Sequence, residues 1–258
     1  MSAEDSFKVL VINADPNVAP ASITRRVVDA SLEQLGARKI TLMYTDLAKD
    51  GWTQLLTAGD FVSVSDPLHT NLRTEQSISR LIPKIEEEQE KLLSCNLLLV
   101  FGPISPFGMP SHFFAYWERV VSYGKFFGPD KLFDKGVFFG KRAMCIVTSQ
   151  LRQDVFSNQN CHLTVEELLY PITHGMFHML GFKVNRTQTL WFDSPAKFDA
   201  TLQQWIAVLA DINERTSLYF HPGQDYTNYK LTQNVDKGND FDILAQMGNV
   251  ALRDSHRK

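Results

Sequence analysis

Apolar positions along this chain alternate between short unbroken runs and three-to-four-residue spacings, which predicts strands alternating with helices. Residues 8–13, Lys-Val-Leu-Val-Ile-Asn, are short and β-branched, as a strand buried on both faces requires. A loop with two prolines follows at 14–21. Ser22 is then a predicted N-cap for a helix with Ile23, Val27, Val28, Leu32 and Leu35 on one side, and Gly36 is its stop. Residues 39–44 read as a second strand. Strand, loop, helix and strand at this spacing predict a parallel pair joined by a right-handed crossover.

Periodicity is weak over 50–72, which predicts irregular chain. Over 75–93 a helix is expected, with Ile78, Ile82, Ile85 and Leu92 as its stripe and Pro83 kinking or restarting it. The acidic run at 86–91 reads as a solvated helix face. Residues 96–101 are the most apolar run and predict a central strand; a Gly/Pro-rich loop at 102–110 then leads to an aromatic-rich helix from Ser111 to about Tyr123. A fourth strand is expected at 143–148, a helix at 165–180 and extended chain at 182–192. Pro195 opens a last helix in which Phe198, Leu202, Trp205, Ile206, Leu209 and Ile212 share a face. After Leu218 the chain turns polar, an irregular tail that wraps a partner subunit or frays. The pattern gives an α/β fold, a doubly wound parallel five-stranded sheet over 1–217, with a C-terminal extension over 218–258.

Composition narrows the function classes. With 44% hydrophobic and 21% charged residues the chain is a folded protein. A net charge of −3 offers no basic excess for a nucleic-acid or anionic-membrane partner. Cys95, Cys145 and Cys161 lack a C-x-x-C pattern, against a disulfide frame or a Cys-rich metal site, and Cys161 reads as a small apolar filler. No apolar stretch approaches the ~18 residues of a membrane span, and the first residues lack a positive region before an apolar run. A cytoplasmic protein is expected.

In an open parallel sheet, ligands bind beyond the carboxyl ends of the strands, where strand order reverses. Three loops qualify, at 14–21, 102–110 and 148–161. The first precedes a helix N-terminus, where free N–H groups favour an anion, yet it lacks both G-x-G-x-x-G and the P-loop pattern. Asp15 in that loop would repel a phosphate unless turned away. In the second, Pro103, Pro106 and Pro110 fix an exposed backbone that can meet a flat heteroaromatic edge, and Phe107 offers a ring to stack on. Phe113, Phe114 and Trp117 read equally as site aromatics or as core.

The segment Phe101-Gly-Pro-Ile-Ser-Pro-Phe-Gly-Met-Pro110, followed by Tyr116-Trp-Glu-Arg-Val120, resembles the NAD(P)H:quinone oxidoreductases of the DT-diaphorase group, which have a flavodoxin-like fold. Phe133-Asp-Lys-Gly136, Cys161-His162 with residues 170–182, and Leu218-Tyr-Phe220 are similar to later family segments in the same order. The resemblance implies a flavin cradle: Pro103, Ile104, Ser105, Pro106 and Phe107 along the isoalloxazine ring; Thr148, Ser149 and Gln150 at its pyrimidine side; Ala21, Ser22 and Glu118 near the cofactor. His162 falls on the family's active-site histidine and Phe156 on its active-site tyrosine. Phe127, Pro129 and Met179 fall where the family places substrate-pocket residues across a homodimer interface. The long C-terminal extension is similar to members using FAD rather than FMN. The implied reaction is ping-pong: hydride passes from NAD(P)H to flavin N5, then to a quinone.

Departures from the family pattern are informative. Phe156 cannot donate a hydrogen bond, so His162 alone would stabilise developing negative charge and quinone turnover should be weaker. Ser149 and Gln150 replace two glycines, and Asp15 stands in the loop expected to meet the diphosphate. These changes leave a second reading open: a paralogue with weak flavin binding that acts as a binding or regulatory protein. His174 and His178, four apart on a predicted helix, together with His221 could hold zinc or copper; otherwise they are packed or hydrogen-bonded side chains.

Overall fold

The computed structural model describes residues 6–66, 68, 71–157, 159–228 and 230–232. Five strand positions form one parallel sheet. β1 (Lys8–Asn13) pairs with β2 (Thr41–Asp46) on one side and β3 (Leu97–Pro103) on the other, and β4 (Arg142–Ser149) pairs with β3. The outer position is shared by β5 (Lys183–Val184) and β6 (Gln188–Trp191), both parallel to β4. The order β2-β1-β3-β4-β5 reverses between β1 and β3: it is the doubly wound arrangement that the sequence pattern anticipates and the flavodoxin-like one that the resemblance implies.

The break between β5 and β6 has a polar cause. Asn185 accepts from Arg142 at 3.0 Å and donates to the Ile212 carbonyl at 3.3 Å. Thr187 donates its N–H and its hydroxyl to the two oxygens of buried Glu166, at 3.0 and 2.8 Å. Burial pushes the Glu166 carboxyl up, although these two donors oppose the shift.

Strand alternation sorts side chains to two faces. Leu10, Ile12, Leu98, Val100, Ala143, Cys145 and Val147 point into one cluster. That cluster takes in residues of α3 (Pro83–Ser94), α4 (Ser111–Val120) and α5 (Val165–Ile172). Val9, Val11, Leu97, Leu99, Phe101, Met144 and Ile146 meet α1 (Ile23–Gly36) and α6 (Phe198–Ala210) on the other face. Phe113 and Trp117 lie in the first cluster and Phe114 packs against it, so these aromatics are core.

Several element bounds differ from the sequence pattern for tertiary reasons. β2 runs two residues further than expected, ending on Thr45 and Asp46. Both polar ends have buried partners: Thr45 donates to Glu88 at 2.8 Å, and Asp46 pairs with Arg25. The expected helix over 75–93 is two helices: α2 (Leu72–Ile78), capped by the Asn71 side chain, and α3, which Pro83 starts. The acidic run is only partly a solvated face, since Glu88 and Gln89 are buried. Glu88 accepts from Tyr116 at 3.0 Å and from Lys91 at 2.6 Å. The helix expected over 165–180 is α5 continued by a wider π-helical turn, Thr173–His178. Cys161 is exposed, not the apolar filler expected.

Beyond α6 the chain returns to the sheet. Leu218 donates its N–H to the Val184 carbonyl at 2.8 Å, and Leu218 and Phe220 are buried in the first cluster. β7 (Tyr226–Thr227) and β8 (Lys230–Leu231) form a short hairpin. The part of the expected extension at 233–258 lies outside the described residues. Among the described residues no helix is long and apolar enough to cross a membrane.

The approach of residues 136–139 to the turn after the π-helical segment depends on a missing side chain. A Cβ on Gly136 would stand 2.2 Å from the Leu180 carbonyl oxygen and 2.3 Å from its carbon. Gly136→Ala should therefore cost at least about 2 kcal/mol in urea unfolding. Gly36→Ala, where nothing lies within 4 Å, is the control and should not destabilise.

Candidate active site

The loop after β1 is built from three consecutive side-chain turns. Asn13 Oδ1 accepts from the Asp15 N–H, Asp15 Oδ1 from the Asn17 N–H, and Asn17 Oδ1 from the Ala19 N–H, each at 3.0 Å. Arg25, in the first turn of α1, ties this loop to the end of β2. Its guanidinium ion-pairs with Asp46, reaching Asp46 Oδ1 at 3.1 Å, and donates to the carbonyls of Asn17 and Asp15. Both members of the pair are almost fully buried. Burial alone would raise the Asp46 carboxyl. The Arg25 guanidinium, the Lys49 N–H and the Tyr44 hydroxyl outweigh it and hold the carboxyl below its ordinary value. The Tyr44 hydroxyl is pushed up to about 12, chiefly by burial.

The loop after β3 is a tight turn. Ser105 and Gly108 exchange N–H to carbonyl bonds at 3.1 and 2.9 Å, and the Phe107 N–H donates to the Ser105 hydroxyl at 3.1 Å. Gly108 has φ +92°, a conformation side chains disfavour. The end of β4 is joined to the loop after β3 and to the start of α1: Ile104 donates its N–H to the Thr148 carbonyl at 2.9 Å, and the Thr24 and Thr148 hydroxyls meet at 2.6 Å.

A cavity of about 470 Å³ opens between these three loops, at the carboxyl ends of β1, β3 and β4. From the first loop and α1 come Asp15, Pro16, Asn17, Ser22, Ile23 and Thr24. Pro103, Ile104, Ser105 and Pro106 form a second wall, and Thr148, Ser149, Gln150 and Leu151 a third. None of these lining residues is Lys, Arg or His. The asparagine-aspartate spacing at 13, 15 and 17 was the legible signal for Asn17, which sequence reasoning left out; Thr24 gave no local signal.

Expected site residues outside this cavity fall into three groups. Phe156 and His162 stand together, ring centroids 5.4 Å apart, with the His162 N–H donating to the Val155 carbonyl. Phe156 also packs on Trp191, which is in register with Ser149, so the pair borders the β4 side of the cavity without lining it. Phe107, at the tip of its turn and 94% exposed, and Ala21, also exposed, do not line the cavity. Glu118 does not reach it either: it lies on the solvent side of α4, 3.9 Å from Arg73, because the helix turns its aromatic face to the core. Phe127 packs on Tyr123, Pro129 is exposed, and the Met179 carbonyl accepts from the Phe133 N–H; none lines the cavity of its own chain.

The metal reading of the histidine triad is corrected, and the alternative of packed, hydrogen-bonded side chains is what the structure shows. Among the described residues no three His, Cys, Asp or Glu side chains converge on a metal position. His174 stacks on Tyr170, and the Phe220 ring lies against both His174 and His178, at centroid distances of 5.2 and 4.9 Å. His178 Nε2 lies 3.0 Å from the His221 backbone carbonyl, while the His221 ring faces Asp225. The imidazoles are thus occupied by packing and hydrogen bonds.

Strand order and cavity together define a doubly wound α/β protein with a cavity at the switch point between β1 and β3, where this class of fold binds ligands. The model of the flavodoxin-like fold family matches residues 7–211, and the chain belongs to that family. It is 27% identical to NAD(P)H dehydrogenase (quinone) 1 of Cavia porcellus over 202 residues, 75% of this chain and 74% of the relative. A candidate quinone reductase from Klebsiella pneumoniae superposes with a TM-score of 0.80 at 23% identity, covering 91% of this chain and 97% of that one. General stress protein 14 of Treponema denticola, solved in complex with FMN, gives a TM-score of 0.55 at 16% identity over 79% of this chain and 98% of that one.

Tested against a flavin, the cavity divides into two ends. Its volume and its peptide walls at 103–106 and 148–150 suit a planar ring with polar edges. Its other end does not suit a phosphate, because the Asp15 carboxylate lies there without a cationic side chain in the wall.

The acid-side stability of the protein should report the Arg25–Asp46 clamp. The folded Asp46 carboxyl titrates below the unfolded value of about 3.9, so its contribution is complete above that pH and is lost as pH falls below it. Unfolding by urea from neutral pH to about pH 3 should show this loss. Asp46→Asn should be less stable at neutral pH and show a shallower acid slope; an unchanged slope would remove Asp46 from the account.

Proposed function

We propose that this protein is a flavin-dependent NAD(P)H:quinone oxidoreductase, with a homodimer as its working form. The observation that carries this reading is the ring-sized cavity at the switch point, walled by the 103–106 and 148–151 loops. Similarity to NAD(P)H dehydrogenase (quinone) 1 over three quarters of each chain supports the choice of substrates. The flavin, when bound, supplies the hydride relay between nicotinamide and quinone in a ping-pong sequence.

The chain's own residues hold and polarise. Pro103 and Pro106 stiffen one wall, while the Ile104–Thr148 hydrogen bond fixes its distance from the β4 loop. Ser105 and Gln150 present polar side chains at the rim. The half-buried His162 imidazole, braced by Phe156 at the border of the cavity, would donate a hydrogen bond or proton to negative charge on a ring or quinone that extends to this border. Phe156 shapes this corner and contributes no donor. Phe127, Pro129 and Met179 would line the substrate side from the second subunit.

The purified protein should carry flavin absorbance and turn over NADH or NADPH with menadione. Colourless protein that stays inert with added FAD would contradict the enzyme and favour the binding or regulatory reading. His162→Gln should lower kcat by about 10²-fold with flavin retained; unchanged kcat would remove His162 from the mechanism. Phe156→Tyr should raise quinone reduction by restoring a donor.

A further inference from the structure

We propose that Asp15 is a specificity determinant of this cavity: its carboxylate stands where a cofactor phosphate would sit, so the site takes a flavin by its ring and gains nothing from a phosphate. This rests on the flavin reading above. In doubly wound folds a phosphate is held where the first loop meets the first helix, because free N–H groups and hydroxyls converge there on negative charge. In this chain two donors of that region, the Asn17 N–H and the Ser22 hydroxyl, already serve an anion of the protein's own. Asp15 is 3% exposed and lines the cavity; its carboxylate accepts from the Asn17 N–H at 3.0 Å and from the Ser22 hydroxyl at the start of α1.

Among the described residues, the two basic side chains that sense the Asp15 charge are not free to meet a second anion. Arg25 is turned away from the cavity and committed to Asp46 and to loop carbonyls. His112, which feels both Asp15 and Asp46, is buried, and burial holds it toward the neutral form. A phosphate entering this end would meet a like charge. Moving Asp15 aside would break its turn with Asn17 and release Ser22.

Riboflavin and FMN differ by one phosphate and so isolate the effect. Dissociation constants are measured for both by quenching of flavin fluorescence, with flavin-free wild-type protein and Asp15→Asn at neutral pH. Wild type should bind riboflavin at least as tightly as FMN. Asp15→Asn, whose amide can accept from Asn17 and donate to Ser22, should favour FMN by a further tenfold or so relative to riboflavin. Added salt should shift the wild-type ratio toward FMN, since it screens repulsion. The proposal is overturned if wild type binds FMN about tenfold more tightly than riboflavin, or if folded Asp15→Asn leaves the ratio unchanged. Should the variant not fold, a wild-type ratio that moves away from FMN with salt overturns it. Failure of either flavin to bind any form overturns the flavin reading and this inference with it, whereas riboflavin binding with a phosphate preference overturns this inference alone.

Discussion

The Arg25 guanidinium joins three pieces of chain that the sheet alone would leave independent: the end of β2 through Asp46, the loop after β1 through the Asn17 and Asp15 carbonyls, and the first turn of α1 on which it stands. Removing one partner of such a pair leaves a buried charge, at a cost of about 3–5 kcal/mol. That cost makes the loop geometry close to all-or-none. Asp15 is held in the cavity wall because of it, and the charge of that wall follows.

The remaining walls depend on packing. Alternating faces of β1, β3 and β4 feed two separate clusters, so the strands cannot slip by one residue without exchanging their buried sets. With register fixed, the three loops leave the sheet at adjacent points, and single hydrogen bonds suffice to set their spacing. The Thr24–Thr148 contact and the Ile104–Thr148 bond both converge on Thr148. Rigid strands thus present a mostly uncharged pocket to a flat ligand, and the chemistry would be supplied by that ligand. In the proposed reading the protein adds orientation, with half-buried His162 at the border of the cavity.

Much of this was legible in the sequence where physics is local. The β-branched run at 8–13 is β1 to the residue, Pro83 begins α3, and the Gly/Pro loop after β3 walls the cavity. What was not legible depends on partners far along the chain. β2 extends over Thr45 and Asp46 because Glu88 and Arg25 satisfy them, and Glu88 in an acidic run is buried because Thr45, Tyr116 and Lys91 surround it. The histidine spacing at 174 and 178 suggested a metal, yet the Phe220 ring packs on both imidazoles and His178 meets the backbone carbonyl of His221, whose ring faces Asp225. Phe107 looked like a stacking ring, but the turn closed by Gly108 carries it outward.

A crystal structure of the protein soaked with excess riboflavin tests the central claim most directly. Planar three-ring density should lie between the 103–106 backbone and residues 148–150, with its polar edge toward Thr148 and Gln150. Density for the ring at another place, or a cavity that stays free of it at saturating concentration, would contradict the account.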